Sequence, residues 1–432
     1  GFVIHTTLDL DFQESADKYM KEGLHKVNAT YRANSDRRMR YVDEQFVPIV
    51  DMLSLVFNIQ DIRVAGAKKM KAAKEDFYAY LSPTLDVASL LLGSEDIKFL
   101  ANMAHEKQDQ ENKRNTVEGA LITIENDTGH ILSMVGGSDF KTKQLNRAVQ
   151  SKVQPGSAFK PLYYSAAISS REFTPATMIY DAPIVLWNED GSYYKPLNYM
   201  GEWAGPVLLR RALANSMNVP SIQVLDAIGF DAAINRASRL LGISDPVEIS
   251  QTFPRNYPLA LGIISIAPIQ MAKAFSTMAN LGKEVEPIAI IYVEDRNGNI
   301  ILEPEKELRS KQKRRGEDLQ IMPPQDAYIM IDMLQTTVES GTLAGRRRLV
   351  GGFDDMPMAG KTGTTQNWSD AWTVGFSPYV TTAVWFGFDL PGNSLGINQT
   401  GATAAGPIWA RYMKAIHRQY PVKEFEKPET GL

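Results

Sequence analysis

A mixed α+β domain is what this sequence predicts, and two observations predict it. Apolar strand patterns occur as a pair near Ala120 and as a run of three near the C-terminal end, with a block of helical periodicities between them. That order suits one domain whose sheet is completed by distant parts of the chain. A length of 432 residues exceeds what one compact core usually organises, so a further region is expected beside that domain.

Taken in order, residues 3–24 read as a short extended stretch (FVIHTTLDL) and then a helix with Phe12, Ala16, Tyr19 and Leu24 as its apolar residues. From Val27 to Thr116 the chain is charged and rich in alanine and methionine. Residues 64–81 and 83–100 look helical there, and HEKQDQENKRNT (105–116) has the composition of a solvated linker. The expected division is therefore an N-terminal linker segment over 1–26, a mostly helical insert of open role over 27–117, and the main domain over 118–425. The main domain opens with ALITIE, the turn NDTG and HILSMV, a hairpin signal. Helical periodicity returns over 160–169, 207–214, 219–228, 231–241, 268–281 and 325–339. IAIIYVE followed by DRNGN predicts a second hairpin with Asn-Gly at a two-residue turn. MAGKTGTT, DAWTVGFS and TTAVWFGFD read as three consecutive antiparallel strands, and a helix is expected over 407–416.

Composition excludes several function classes. A net charge of -4 gives no reason for a nucleic-acid partner, and none is expected. With no cysteine there is no disulfide, thiolate nucleophile or Cys-based zinc site. His5, His25, His105, His130 and His417 never fall three or four apart and have no adjacent carboxylate pattern, so a zinc site is not expected; no cofactor is expected either. The apolar runs are too short and interrupted to span a bilayer. The start, Gly1-Phe2-Val3-Ile4, resembles neither a signal peptide nor an initiator methionine, which predicts a piece of a longer chain. Basic runs at 311–315 and 346–348 read as solvated loops.

Three short motifs carry chemistry. In VQPGSAFKPLYYSAAI (153–168), Pro155-Gly156 leads into a helix whose first turn holds Ser157, where unpaired N–H groups and the dipole favour developing negative charge. Lys160, three residues on, shares its face. A lysine serves as a base only when neutral, so it must be desolvated or crowded by another cation. Ser216-Met217-Asn218 lies at a break between helical stretches, where a hydroxyl and an amide can project into a cleft. In Lys361-Thr362-Gly363-Thr364-Thr365, the period of a strand places Thr362 and Thr364 on one side. Gly363 lets another backbone come close, and Lys361 supplies the second cation. Each motif alone also suits an ordinary helix start, turn or strand; their joint occurrence in this order is specific.

Together the three resemble the S-x-x-K, S-x-N and K-T-G set of penicillin-interacting serine enzymes. The surrounding text, including RALANSMNVPSIQVLDAIG, AGKTGTTQNWSDAWTVGFSP and TGATAAGPIWARYM, resembles the transpeptidase region of class A (bifunctional) penicillin-binding proteins over 2–24 and 118–413. The glycosyltransferase domain that precedes this region in the family has no counterpart here, so no glycan polymerisation is expected of this chain. The resemblance implies a β-lactamase/transpeptidase-like α+β fold with a five-stranded antiparallel sheet between helical layers. It implies a D,D-transpeptidase that cross-links peptidoglycan stem peptides and is trapped covalently by β-lactams at Ser157. Ser157 attacks, Lys160 takes its proton, and Ser216, linked to Lys361, passes it to the leaving amine. Asn218 holds a substrate amide, Thr362 and Thr364 bind the terminal carboxylate, and the Gly363 strand lines the extended peptide. Backbone N–H groups of Ser157 and Thr364 form the oxyanion hole. The same resemblance places the protein at the extracytoplasmic face of the bacterial cytoplasmic membrane, with the anchor outside this chain, and makes the insert a place to recruit cell-wall synthesis proteins.

Three rivals share part of this reading. A β-lactamase needs a base to activate water; in the branch with a dedicated glutamate that residue lies in an E-x-x-x-N stretch after the second motif, yet 249–262 holds no acidic residue, and Glu248 has Thr252 rather than Asn four positions on. A D,D-carboxypeptidase differs in letting water enter second. A non-turnover β-lactam-sensing or scaffold module would release no D-alanine. Trp368, close behind Gly363, is placed to border the cleft.

Overall fold

The computed structural model describes residues 1–56, 116–141, 143–187, 191–198, 201–390 and 393–430. The chain divides into two compact units, one of residues 1–27 with 117–432, the other of residues 28–116. The helices expected over 64–81 and 83–100 lie outside the described residues, as does the linker apart from Thr116.

The first unit begins with β1 (Val3–Thr6) and the N-terminal turns of α1 (Leu10–Val56), which continues into the second unit. Phe12, Ala16, Met20 and Leu24 form the buried face of α1, because they recur every four residues. Tyr19, expected on that face, lies one position off it and is only half-buried. β2 (Glu118–Glu125) and β3 (Ile131–Val135) form the predicted hairpin, followed by a 3₁₀ turn (Gly156–Phe159) and α2 (Lys160–Ser169).

Two small ribbons come next, β4 (Met178–Asp181) with β7 (Gly205–Leu208), and β5 (Leu186–Trp187) with β6 (Tyr193–Tyr194). The helix expected over 207–214 therefore starts two residues late, since Val207 and Leu208 pair with Ile179 and Met178. It is α3 (Leu209–Ala214), followed by α4 (Asn218–Leu241), which Gly229 breaks at φ +78° between the two predicted helices. α5 (Pro246–Thr252) and α6 (Pro268–Ala279) lead to β8 (Ile290–Glu294) and β9 (Ile300–Leu302). These two strands are joined by Asp295–Asn299 rather than by a two-residue turn. The Asp295 carboxylate accepts N–H groups from Asn297 and Asn299 and so holds the wider loop. β1 pairs with β8.

α7 (Pro304–Arg315), α8 (Pro324–Glu339) and α9 (Ala344–Leu349) follow. The basic run 311–315 is the end of α7 and not a loop, with Lys313, Arg314 and Arg315 in the last turn where the helix dipole favours cations. Arg346, Arg347 and Arg348 likewise lie within α9.

β10 (Ala359–Thr364), β11 (Ala371–Phe376) and β12 (Val380–Gly387) complete the main sheet, whose order is β10-β11-β12-β2-β3, antiparallel throughout. All residues of β11 and β12 are buried, so both sheet faces must be covered. Successive residues of β11 show how. Phe376 meets Phe275 of α6 at 6.3 Å, while a Cβ on Gly375 would lie 2.3 Å from Trp409 of α10 (Gly406–Ile416) on the opposite face. The sheet thus sits between helical layers.

Candidate active site

The first motif and the third meet through backbone. Gly156 has φ +54°, and a Cβ on it would lie 2.7 Å from the Thr364 carbonyl oxygen. A Cβ on Gly363 would lie 2.2 Å from the Pro155 carbonyl oxygen, and one on Gly262, at φ +72°, 2.1 Å from that of Gly156. Three glycines therefore let the Ser157 turn lie directly against the end of β10. On the side to which its Cβ would point, the backbone that Gly363 admits is that of Pro155–Ala158.

β10 is an edge strand of the main sheet. Thr365 N–H donates to Asp370 O, and with the register Thr364↔Ala371 the alternation of an antiparallel pair turns the N–H and C=O of Thr362 and Thr364 to the open edge. Their side chains are held from outside the strand. The Thr362 hydroxyl lies 2.8 Å from that of Thr342, and the Thr364 hydroxyl accepts the Gly401 N–H at 3.0 Å.

The second motif occupies the connection between α3 and α4. Ser216 adopts φ +58°, uncommon for a residue with a Cβ, and its hydroxyl accepts a hydrogen bond from Lys361 Nζ at 2.8 Å. Lys361 Nζ also donates to the Thr362 carbonyl at 2.9 Å. Lys160 Nζ donates to the carbonyls of Ser216 (2.9 Å) and Met217 (3.0 Å) and to Asn218 Oδ1 (3.0 Å). Both lysines are fully buried. Burial, and secondarily the charge of Lys361, pushes the Lys160 ammonium well below the ordinary lysine range; burial brings Lys361 down to about 7. Lys160 is thus desolvated, with Lys361 as the second cation that acts on it.

Asn218 is fixed by a residue that no motif had marked. Asn198 Oδ1 accepts the backbone N–H groups of Asn218 and Val219, each at 3.3 Å, while its amide donates to both carboxylate oxygens of Asp181 at 2.7 and 2.9 Å. Asn198 thus caps α4 from a distance. No sequence spacing announces that role.

Ser157, Ser216, Asn218, Thr362, Thr364 and Trp368 line one cleft of about 1110 Å³. Its two lining carboxylates among the described residues, Asp370 and Asp389, are both engaged. Asp370 accepts from Trp385 Nε1 at 2.9 Å and Thr365 Oγ1 at 3.0 Å, and burial raises it to about 6. Asp389 is held bidentately by the buried Arg147 at 2.5 and 2.6 Å. Glu248, on α5, is paired with Lys152 at 3.1 Å and does not line the cleft. Among the described residues no group of three His, Cys, Asp or Glu side chains is placed to hold a metal ion.

A serine at a helix start, a buried lysine of depressed pKa, a second serine tied to a second lysine and an open strand edge define a site for serine-based acyl transfer. The comparisons with known proteins agree. Residues 119–414 match the family described as Penicillin binding protein transpeptidase domain, and the chain belongs to this family. It is 32% identical to penicillin-binding protein 1A of Aquifex aeolicus over 99% of this chain and 55% of that protein, and 38% identical to that of Neisseria lactamica over 72% and 37%. The chain spans about half, or less, of the length of these relatives. Penicillin-binding protein 1A from Haemophilus influenzae is similar in structure, at a TM-score of 0.63 and 25% identity over 72% of this chain and 49% of that one. PonA1 from Mycobacterium tuberculosis, solved in complex with penicillin V, shares the fold at a TM-score of 0.65 and 20% identity over 100% and 89%. The five-stranded antiparallel sheet between helices is the one the resemblance implied.

Proposed function

We propose that this chain is the part of a peptidoglycan cross-linking protein that carries D,D-transpeptidation, acting on stem peptides through an acyl-enzyme on Ser157. The observation that carries this reading is the convergence of two buried, pKa-depressed lysines on the Ser216–Asn218 turn beside the open edge of β10.

A donor peptide laid along β10 gains main-chain hydrogen bonds from Thr362 and Thr364, as in strand addition. Its penultimate D-alanine carbonyl receives the Ser157 hydroxyl oxygen. Lys160 takes the proton, for which it must give up one of its three present acceptors. The tetrahedral oxyanion is met by the N–H groups of Ser157 and Thr364, each such donor being worth roughly 2.7–4 kcal/mol in other acyl-transfer enzymes. Collapse expels the terminal D-alanine, whose amine receives, through Ser216 linked to Lys361, the proton that Lys160 took from Ser157, while Asn218 holds a peptide amide. The amine of a second stem peptide then displaces Ser157. β-Lactams acylate the same hydroxyl. Both cleft carboxylates being engaged supports slow hydrolysis of that adduct and weighs against a β-lactamase.

The main domain is proposed over 118–425, with residues 1–26 leading into it and 27–117 as an insert that recruits other cell-wall synthesis proteins. The reaction belongs outside the bacterial cytoplasmic membrane, where stem peptides are. Among the described residues no helix is long and apolar enough to cross a membrane.

The test is intact-mass spectrometry of the chain with benzylpenicillin beside Ser157→Ala. One long-lived adduct on the parent and none on the variant is expected; an adduct lost within seconds would make the protein a hydrolase, and none would overturn the assignment of Ser157. Release of D-alanine from a stem peptide, faster and with a cross-linked product when an acceptor amine is added, separates transpeptidase from carboxypeptidase and from sensor.

A further inference from the structure

Beside the cleft the ribbon of β5 and β6 turns two large aromatic rings to water. Trp187 and Tyr193 are direct partners in its register, so they share one face, with ring centroids 6.1 Å apart at 73°. They are 67% and 62% exposed. The other face carries Leu186 and Tyr194, which pack against the hydrophobic core, and Tyr194 also lines the cleft. A ribbon this short has little stability of its own, so the inner face anchors it and the outer pair contributes nothing to the core. Lys195, which lines the cleft, sets its ammonium 5.1 Å from the Tyr193 ring centroid.

The chain then runs from Tyr193 straight into the machinery. Leu197 O accepts the Asn218 side-chain amide at 3.1 Å, and Asn198 caps α4. Five residue steps separate Tyr193 from Asn198, a span of at most about 18 Å. A stem peptide held extended with its scissile carbonyl in the cleft carries its sugar four residues away, at roughly 13–14 Å. Sugar rings offer C–H groups on a face and hydroxyls around the rim. An indole and a phenol, apolar on their faces and polar at one edge, complement that pattern.

We propose that the Trp187–Tyr193 pair is a saccharide platform that holds the glycan of the strand whose stem peptide lies in the cleft. The proposal rests on the transpeptidase reading and supplies it with a second substrate contact outside the reacting centre.

Saturation-transfer NMR with peptide-free amino-sugar oligosaccharides, on the parent chain, Trp187→Ala and Trp187→Ala/Tyr193→Ala, tests it. Transfer to the sugars from the parent, reduced at least tenfold in the double variant, is expected, with benzylpenicillin acylation of Ser157 unchanged within twofold as proof of folding. Cross-linking of intact glycan-bearing strands should then show a raised KM, and D-alanine release from sugar-free peptide should not change. No transfer from the parent, or equal transfer from the variants, overturns the platform while acylation stands. Concentration-dependent self-association of the parent that the double variant abolishes also overturns it, assigning the rings to a second copy. Failure of the parent to acylate is a separate result and removes the transpeptidase reading itself.

Discussion

Lys361 shows at the scale of one residue how this site trades stability for chemistry. Its charge is one of the two causes holding Lys160 below the ordinary lysine range, the other and larger being burial. Replacing it as Lys361→Met keeps the volume and removes the charge, so Lys160 titrates higher. The acidic limb of the pH profile for β-lactam acylation should move to higher pH, and the acylation rate at pH 7 should fall at least a hundredfold, as measured by stopped-flow acylation across pH 5–9. Stability should move the other way. Lys361 titrates at about 7 in the folded chain against 10.5 for an ordinary lysine. The unfolded chain therefore binds the extra proton between those values, and this residue's contribution to stability rises with pH from 7 to 10.5. The variant should be more stable by about 1–3 kcal/mol below pH 7, after the loss of two hydrogen bonds, and the gain should vanish towards pH 10.5. Thermal unfolding of both proteins at pH 6 and pH 10 measures it.

Elements meet here because side chains are missing or borrowed. Gly363→Ala would drive a methyl group into the Pro155 carbonyl and displace the Ser157 turn from β10. A loss of about 1–3 kcal/mol and of nearly all acylation is expected in denaturant titration and adduct counting. Asn198→Ala uncaps α4 from outside. About 1 kcal/mol of stability and a severalfold slower acylation, with the same adduct mass, should result. The contrast between these two residues explains what was legible in the sequence. Ser157, Lys160, Ser216 and Lys361 lie in short motifs whose order is specific, and the strands of the main sheet have apolar runs that only burial on both faces explains. Gly363 was legible as a point of close approach but not as to which backbone approaches, because a glycine does not name its partner. Asn198 joins groups 17 and 20 residues away in a region of short ribbons, where no period marks it. Tyr19 and the two basic runs were misplaced for a similar reason. A one-position error on a helix face, or a charged helix without an apolar stripe, leaves composition unchanged.

At the scale of the molecule, the unit that bears the site is assembled from residues 1–27 and 117–432, with 28–116 forming a unit of their own. Substituting a flexible linker for residues 28–116 should leave benzylpenicillin acylation within about threefold, read by the same adduct measurement; loss of acylation would mean that the intervening unit is needed to assemble the site. The order of the main sheet carries a further consequence, for the time at which this protein can first work. Its middle ladder joins β12 to β2, with Val380 beside Glu125 and Gly387 beside Glu118, and the reactive edge hangs from that ladder through β11. Helices such as α4 can form as soon as they are made, but the pairing on which the cleft depends is non-local and slow by nature. At about 5–20 residues per second, the ribosome needs another ten seconds or more after β2 before β12 exists. Ser157 is thus synthesised long before the strand edge it serves, and the nascent chain carries an unfinished sheet edge until β12 has been made.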